Sequence, residues 1–281
     1  MADGGYRWQG HAPAPDAARV EAIHAGYDEA GAATFAEPAR AAAVERIDAA
    51  LAAARAGDLT TAADQLTRAR SVLAGLDPAA LEPRRGLAGL FDSRRKRLKA
   101  FREAFRRAAA SLTAAASDLA GHVEAAARRS AALDGVWTGI RDAMVELDAH
   151  LFAAARRLAG HRPAEDAPPH PLEARKAALD ACRAAALGAL PLIRGAQNAD
   201  ARAAEALKAC SDGMAAWSRD WSEALGLAGK RPRKVRPDRE RLLRLRDGMV
   251  ARIDRALAEL TASSARRAAV GTRLSDLRAP L

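Results

Sequence analysis

Apolar residues recur at every third or fourth position from Leu98 to Leu151. This spacing places them on one face of an α-helix and averages close to 3.5 residues, which is typical of a coiled coil or a long helical bundle. Two successive steps of four around Leu119 form a stutter in the heptad phase. The predicted seam consists of Leu98, Phe101, Phe105, Ala108, Leu112, Ala115, Leu119, Val123, Ala126, Ser130, Leu133, Trp137, Ile140, Met144, Leu147 and Leu151.

A helix of roughly 60 residues would be about 90 Å long, so it needs antiparallel partners from its own chain or from another subunit. The proline-rich stretch 161–171 ends this helix and predicts a turn that reverses the chain. A second helical block follows at 172–227. After a break that contains Pro232 and Pro237, a last helix begins at Arg239. Its predicted seam is Leu242, Leu245, Met249, Ile253, Ala256 and Leu260.

The segment before these long helices predicts two shorter ones. Glu37 and Pro38 favour a helix start, Gly57 favours its end, and Asp58 is suited to cap the next helix. The Gly-Asp turn and the small residues around it resemble one tetratricopeptide-type hairpin. A solenoid needs about three repeats, so we expect a single hairpin that packs on the main body.

Composition supports an all-helical chain. Hydrophobic residues make up 49% but aromatic residues only 4%, so the apolar positions are mostly alanine and leucine, which favour helix. We therefore predict an all-α fold, an elongated antiparallel bundle of long coiled-coil-like helices with a small N-terminal helical hairpin. The expected parts are a tail and short helix at 1–34, the hairpin at 35–80, a long helix arm at 84–160, a proline-rich turn at 161–171, and return helices at 172–281.

The formal net charge of +10 is concentrated in two zones. Residues 84–107 contain ten basic and two acidic side chains, and residues 230–246 contain nine and two. Such zones are either solvated helix faces or contacts for an anionic partner such as nucleic acid or an acidic membrane surface. The basic side chains singled out are Arg94, Arg95, Lys96, Lys99, Arg102, Arg106, Lys230, Arg231, Arg233, Lys234 and Arg236.

The chain shows little catalytic or metal-binding chemistry. None of its six histidines lies three or four positions from another histidine or a cysteine, although His161 and His170 flank the proline-rich turn and could meet. Nucleophile elbows and phosphate-binding glycine loops are absent from the sequence. We therefore expect a protein that is not an enzyme, has no metal and needs no cofactor.

Location is predicted from the cysteines and the apolar runs. Cys182 and Cys210 are far apart in helical context, which fits a reducing compartment. The N-terminus lacks the apolar core of a signal peptide, and no long uncharged apolar run occurs. We expect a cytoplasmic protein, with peripheral association to the inner membrane as an open alternative.

Residues 190–200 interrupt the second long helix with Pro191, Gly195, Gln197 and Asn198. One interpretation is a kinked bundle helix in which local side chains satisfy the backbone groups that the proline frees. The other is a polar pocket at the kink that uses the charge of Arg194. Spacing alone leaves both open.

This stretch resembles the motif of the toxic-anion (tellurite) resistance family, the TelA/KlaA-like proteins. Pro191, Ile193, Arg194, Gln197 and Asn198 match the motif in register. Downstream, Trp217 and the Ala-Leu pair after it fit as well, and the resemblance extends from residue 87 to the C-terminus. Ala199 and Asp200 stand where the family usually has further asparagines after the Gln-Asn pair. The chain therefore resembles a divergent member of the family.

The resemblance implies a helical protein linked to resistance against tellurite, other toxic anions and envelope stress, without a known reaction. It implies a scaffold that binds other proteins or forms homo-oligomers, in which Pro191, Ile193, Arg194, Gln197, Asn198 and Trp217 form the binding motif. The alternative function is binding of nucleic acid or of an acidic membrane surface through the two basic zones.

Overall fold

The computed structural model describes residues 12–82, 93–161, 168–228 and 237–281, and within these ranges regular structure is helical with no β-strand. The prediction of an all-α bundle is confirmed. Two short 3-10 turns lie at Ala32–Thr34 and Pro78–Leu81. The α-helices are α1 (Ala17–Ala25), α2 (Glu37–Arg55), α3 (Thr60–Ala74), α4 (Arg94–Gly160), α5 (Pro171–Ala224) and α6 (Arg239–Arg278).

Several helix ends follow the capping rules that the sequence suggested. The Asp16 carboxylate accepts a hydrogen bond from the Ala18 N–H at the start of α1, at 3.0 Å. After α2, Gly57 adopts a positive φ of 93°, a conformation that L side chains rarely adopt. The Asp58 carboxylate then accepts the Thr60 N–H at 2.8 Å where α3 begins.

The described residues divide into two compact units. Unit 1 draws them from Met1–Ala56, Arg129–Asn198 and Arg266–Leu281, and unit 2 from Gly57–Arg128 and Ala199–Ala265. Helices α4, α5 and α6 therefore each contribute a segment to both units. Helix α2 belongs to unit 1 and α3 to unit 2.

Unit 1 packs α2 with segments of α4, α5 and α6, and its interior is lined mainly by alanine and aliphatic side chains. Helices α4 and α5 run antiparallel there, since Asp148 of α4 pairs with Arg183 of α5 while Asp134 pairs with Arg194. The central side chains include Ile47, Ala50, Leu133, Ile140, Met144, Ala189, Ile193, Val270 and Leu274.

Unit 2 packs α3 with the other segments of the same three long helices, and its interior is richer in large side chains. Most predicted seam residues of α4 and α6 are buried there, and Leu98, Ala115, Val123 and Leu245 pack half-buried at its edge, which confirms the periodicity for these segments. The central side chains include Leu66, Leu73, Phe101, Phe105, Leu112, Leu119, Leu207, Trp217, Trp221, Leu242, Ile253 and Leu260.

A buried ion pair links α4 and α5 inside unit 1. Arg183 donates from Nε to Oδ1 of Asp148 at 2.6 Å and from Nη2 to Oδ2 at 3.2 Å. Only 4% of the arginine side chain and none of the aspartate side chain is exposed. Removing one partner of such a pair leaves a charge in a low-dielectric interior, which is strongly unfavourable.

Arginine side chains also bind backbone carbonyls at chain and helix ends. Arg267 of α6 donates to the carbonyls of Ala53 and Ala54 at the end of α2, at 3.2 and 2.9 Å. Arg102 of α4 donates to the Leu225 carbonyl just after α5, at 2.9 and 2.6 Å. The last carbonyls of a helix have no intrahelical donor, so these contacts satisfy groups that burial would otherwise leave unpaired.

We predict that Asp148→Ala lowers the free energy of unfolding by about 3–5 kcal/mol, because it leaves the Arg183 charge buried without its carboxylate. Urea unfolding followed by circular dichroism measures the change. The double variant Asp148→Leu/Arg183→Met removes both charges and should be less destabilised than the single variant. A loss below about 1 kcal/mol for Asp148→Ala, as expected for an exposed pair, would contradict this role.

The hydrogen bonds of Glu37, in the first turn of α2, make part of the folding stability dependent on pH. It accepts hydrogen bonds from Arg40, at 2.7 Å, and from Arg175 of α5, and these donors lower its pKa from 4.5 to about 2. Because the carboxylate is ionised in the folded protein at lower pH than in the unfolded chain, its contribution is complete above pH 4.5 and is lost as pH falls toward 2.

Glu37→Gln should therefore reduce stability at neutral pH by about 1 kcal/mol, a value that allows for the partial exposure of the pair. The difference from wild type should shrink as pH falls below 4.5, in unfolding curves recorded across that range. Glu45→Gln, on the exposed side of the same helix, is the matched control. A difference that stays constant with pH would refute the assignment.

Candidate functional site

The residues of the resemblance motif lie on α5 within unit 1, where they face different surroundings. Ile193 is buried in the core and Gln197 is 8% exposed, whereas Pro191, Arg194 and Asn198 are exposed. Helix α5 continues through Pro191 without a break between Pro171 and Ala224. The proline therefore stands on the outer side of a continuous helix, and the polar residues after it occupy its next turns.

Arg194 and Gln197 join α5 to α4. Nη1 of Arg194 donates to Oδ1 of Asp134 and to Oε1 of Gln197, both at 2.6 Å. Nε2 of Gln197 donates to the carbonyl of Ser130 at 2.9 Å. The Gln197 amide thus reaches a carbonyl of the neighbouring helix α4 and not one within its own helix.

These contacts change the acidity of the Asp134 carboxyl group. Hydrogen bonding from the Gln197 amide and from the Arg194 guanidinium holds the pKa of Asp134 below its ordinary value. The carboxylate is therefore ionised at neutral pH. Even so, 47% of the Arg194 side chain and 57% of the Asp134 side chain remain exposed, so both are accessible to a partner.

Trp137 of α4 lies beside Arg194. Its spacing predicts a position in the apolar seam. It is half-buried, and the guanidinium of Arg194 lies 4.5 Å from its ring centroid. Arg141, one turn further along α4, lies 4.8 Å from the same ring. Two arginines therefore flank one tryptophan at cation–π distance. We use the name Trp137 cluster for Asp134, Trp137, Arg141, Arg194 and Gln197.

Sequence reasoning missed Trp137 and Arg141 as site residues. The signal was present in the spacing, because an arginine four positions after a tryptophan on a helix lies beside it. The third member, Arg194, comes from a distant part of the chain. Only the register between α4 and α5 shows that it lies against the same ring.

Trp217, the remaining residue of the binding motif, lies in the core of unit 2. Only 3% of it is exposed, and its ring centroid is 5.7 Å from Phe105 and 4.8 Å from Trp221. Phe101 stacks on Trp221 at 6.0 Å. The structure thus places Trp217 in an aromatic cluster that stabilises unit 2, apart from the motif residues of unit 1.

The first basic zone is mostly at the surface of unit 2. Arg94, Arg95, Lys96, Lys99 and Arg106 are exposed along the first turns of α4. Arg102 is the exception, because it is half-buried and donates to the Leu225 carbonyl. The predicted residues of the second zone, Lys230, Arg231, Arg233, Lys234 and Arg236, lie outside the described residues.

The two cysteines are free and buried. Burial raises the pKa of the Cys182 thiol, and it raises that of Cys210 to about 11. Both are therefore protonated thiols at neutral pH, a form with little nucleophilic or metal-binding reactivity.

The predicted approach of His161 and His170 is observed, with ring centroids 4.7 Å apart. Nδ1 of His170 accepts the Leu172 N–H at 3.1 Å and so caps the start of α5, and Nε2 contacts the Glu29 carboxylate. Over the part of the chain that the structure describes, no group of three or more His, Cys, Asp or Glu side chains is arranged to hold a metal ion.

Comparisons with known proteins give no match: no family model, no curated protein and no solved structure is similar to this chain. Across the described residues, none of the helices has the length and apolar character that crossing a lipid bilayer requires.

Gln197 and Asn198 are neighbours in the motif but should differ in how much each side chain contributes to stability. We predict that Gln197→Ala lowers the free energy of unfolding by about 1–2 kcal/mol, because it removes a buried amide that bonds to Ser130 and Arg194. Asn198→Ala changes an exposed side chain and should stay within about 0.5 kcal/mol of wild type. Chemical denaturation of both variants gives the comparison, and equal losses would contradict the structural role of Gln197.

Proposed function

We propose that this protein is a non-enzymatic helical scaffold that binds another protein through the Trp137 cluster and acts in resistance to tellurite or other toxic anions. The observation that carries the binding role is the half-buried Trp137 with the guanidiniums of Arg194 and Arg141 both within 5 Å of its ring centroid, at 4.5 and 4.8 Å. Tryptophan and arginine are the residue types most enriched among the side chains that dominate protein–protein binding energy.

The cluster offers a charge to a partner. Arg194 is matched by Asp134, but Arg141 forms no ion pair within the described residues and contacts the face of Trp137. A carboxylate on a partner protein can therefore pair with Arg141 while an apolar side chain covers the ring. The half-buried arginine is less hydrated than a fully exposed one, which strengthens such a pair.

The cluster is also ordered before any partner arrives. Arg194 donates two hydrogen bonds, to Asp134 and to Gln197. Gln197 is itself held by its hydrogen bond to the Ser130 carbonyl of α4. Side chains that are already held in place lose less conformational freedom on binding, which favours affinity. This is the arrangement expected of a docking surface on a rigid helical body.

The link to toxic anions rests on the resemblance of residues 190–200 to the tellurite-resistance motif. Pro191, Ile193, Arg194, Gln197 and Asn198 carry that resemblance, and two of them belong to the Trp137 cluster. We place the protein in the cytoplasm. The protonated, buried thiols support a role in recruiting partners over direct chemical reduction of the anion.

Growth of the source organism under tellurite tests this proposal. A strain without the gene should grow at lower tellurite concentrations than its parent, and the wild-type gene should restore growth. The double variant Trp137→Ala/Arg141→Ala should fail to restore it, because it removes the ring and the unpaired guanidinium. Arg273→Ala, an exposed arginine of unit 1, is the matched control and should restore growth fully.

Protein levels and thermal unfolding separate lost binding from lost folding. The double variant should accumulate to wild-type levels and unfold within a few degrees of wild type, since its side chains are only partly buried. If deletion leaves tellurite tolerance unchanged, the toxic-anion role is wrong. If the double variant restores growth as well as Arg273→Ala does, the Trp137 cluster is not the functional surface.

A further inference from the structure

The first turns of α4 carry a line of cations on one side of the helix in unit 2. Arg95, Lys99 and Arg106 are all exposed, and their positions fall within a sector of about 40° around the helix axis. From the first to the last, the line extends about 16 Å along the helix. We use the name α4 cation stripe for these three residues, with Arg94 and Lys96 beside its start.

Among the described residues, the three cations of the stripe form no ion pair, whereas several other surface arginines do. Arg70 of unit 2 pairs with Asp254 at 2.7 Å, and in unit 1 Arg278 pairs with Asp48 at 2.7 Å. By contrast, no residue of the stripe forms an ion pair within the described ranges. The first turn of α4 contains no acidic residue, so its cations also face the positive end of the helix dipole.

One further exposed arginine lies at the same end of unit 2, beside two arginines that are paired with carboxylates, Arg239 with Glu82 and Arg244 with Glu240. Phe101 of α4 stacks on Trp221 near the end of α5, and Asp220 of α5 lines one pocket together with Arg244 of α6. The first turns of α4 and α6 therefore both pack beside the last turns of α5. Exposed Arg241 is part of this start of α6. Arg102 binds the Leu225 carbonyl, which neutralises part of the negative end of α5.

We propose that this end of unit 2 binds the phosphate backbone of double-stranded nucleic acid without reading its sequence. A duplex carries about one negative charge per 1.7 Å of axis, so a segment as long as the stripe carries roughly ten phosphates, of which those on the near side are within reach of the stripe. The three cations of the stripe match such a linear array, and Arg94 and Lys96 add positive charge beside its start. This binding uses unit 2 alone and goes beyond the scaffold role of the Trp137 cluster.

The packing of unit 2 favours nucleic acid over a membrane surface. A helix that lies on a bilayer inserts its apolar side below the headgroups. The apolar side of this part of α4 is turned inward: Phe101 and Phe105 are 5% and 3% exposed, and Leu98 is half-buried. The stripe therefore offers charge without an apolar surface to insert.

The same packing excludes base recognition by the aromatic residues of unit 2. Single-stranded nucleic acids are bound largely by stacking of bases on aromatic side chains. Here Phe101, Phe105, Trp217 and Trp221 are buried against one another. Contact is therefore limited to the backbone, and the higher charge density of a duplex makes it the preferred form.

Fluorescence anisotropy with the full chain tests this inference. The probe is a labelled duplex of about 30 base pairs of mixed sequence, titrated between about 50 and 200 mM salt. The variant Arg95→Gln/Lys99→Gln/Arg106→Gln removes the stripe. The matched control Arg68→Gln/Arg202→Gln/Arg255→Gln removes three exposed arginines elsewhere on unit 2, so both variants have the same net charge. Circular dichroism verifies that both fold.

The stripe variant should bind the duplex at least about 10-fold more weakly than wild type at low salt, and the slope of log K against log salt should be shallower by about 2–3. The control variant should retain most of the affinity, and two unrelated duplex sequences should bind equally. Absence of duplex binding by the wild type, or equal losses in both variants, would overturn the inference. Tighter binding to phosphatidylserine vesicles or to a single strand would also overturn it.

Discussion

The register between α4 and α5 in unit 1 depends on the buried pair between Asp148 and Arg183. Much of the interior of unit 1 is alanine, and such small side chains specify the alignment of two helices less strongly than large ones. A shift of one turn would separate the two buried charges, and that cost selects a single alignment. The same alignment brings Arg194 to Asp134 and Gln197 to Ser130, so the Trp137 cluster exists only in this register.

Helical periodicity was sufficient to predict the seams because burial of one face requires it. Leu112, Leu119, Leu133 and Ile140 are each at most 1% exposed, as their spacing predicted. Trp137 occupies a seam position too, but it remains half-buried because a ring of that size with two arginines beside it reaches the edge of the interior. Periodicity gives the direction of a side chain and does not give the depth of the interior at that position.

The sequence did not predict which distant segments contact one another in the fold. The turn at Gly57 and Asp58 correctly indicated where α2 ends and α3 begins. The sequence did not indicate that α2 would pack in the core of unit 1 and α3 in the core of unit 2. The pairing of Arg141 and Arg194 on one ring likewise depends on which helices become neighbours, and local pattern does not encode that.

Each unit contains one buried cysteine, and the reactivity of that thiol can report local opening of the unit. The chain has two cysteines, Cys182 in unit 1 and Cys210 in unit 2, and both are shielded from solvent. A thiol reagent can modify either one only when the surrounding helices separate, so the labelling rate at each position measures how readily that part of the structure opens. Because α4, α5 and α6 each pass through both units, the two rates would show whether an opening in one unit propagates along a shared helix to the other.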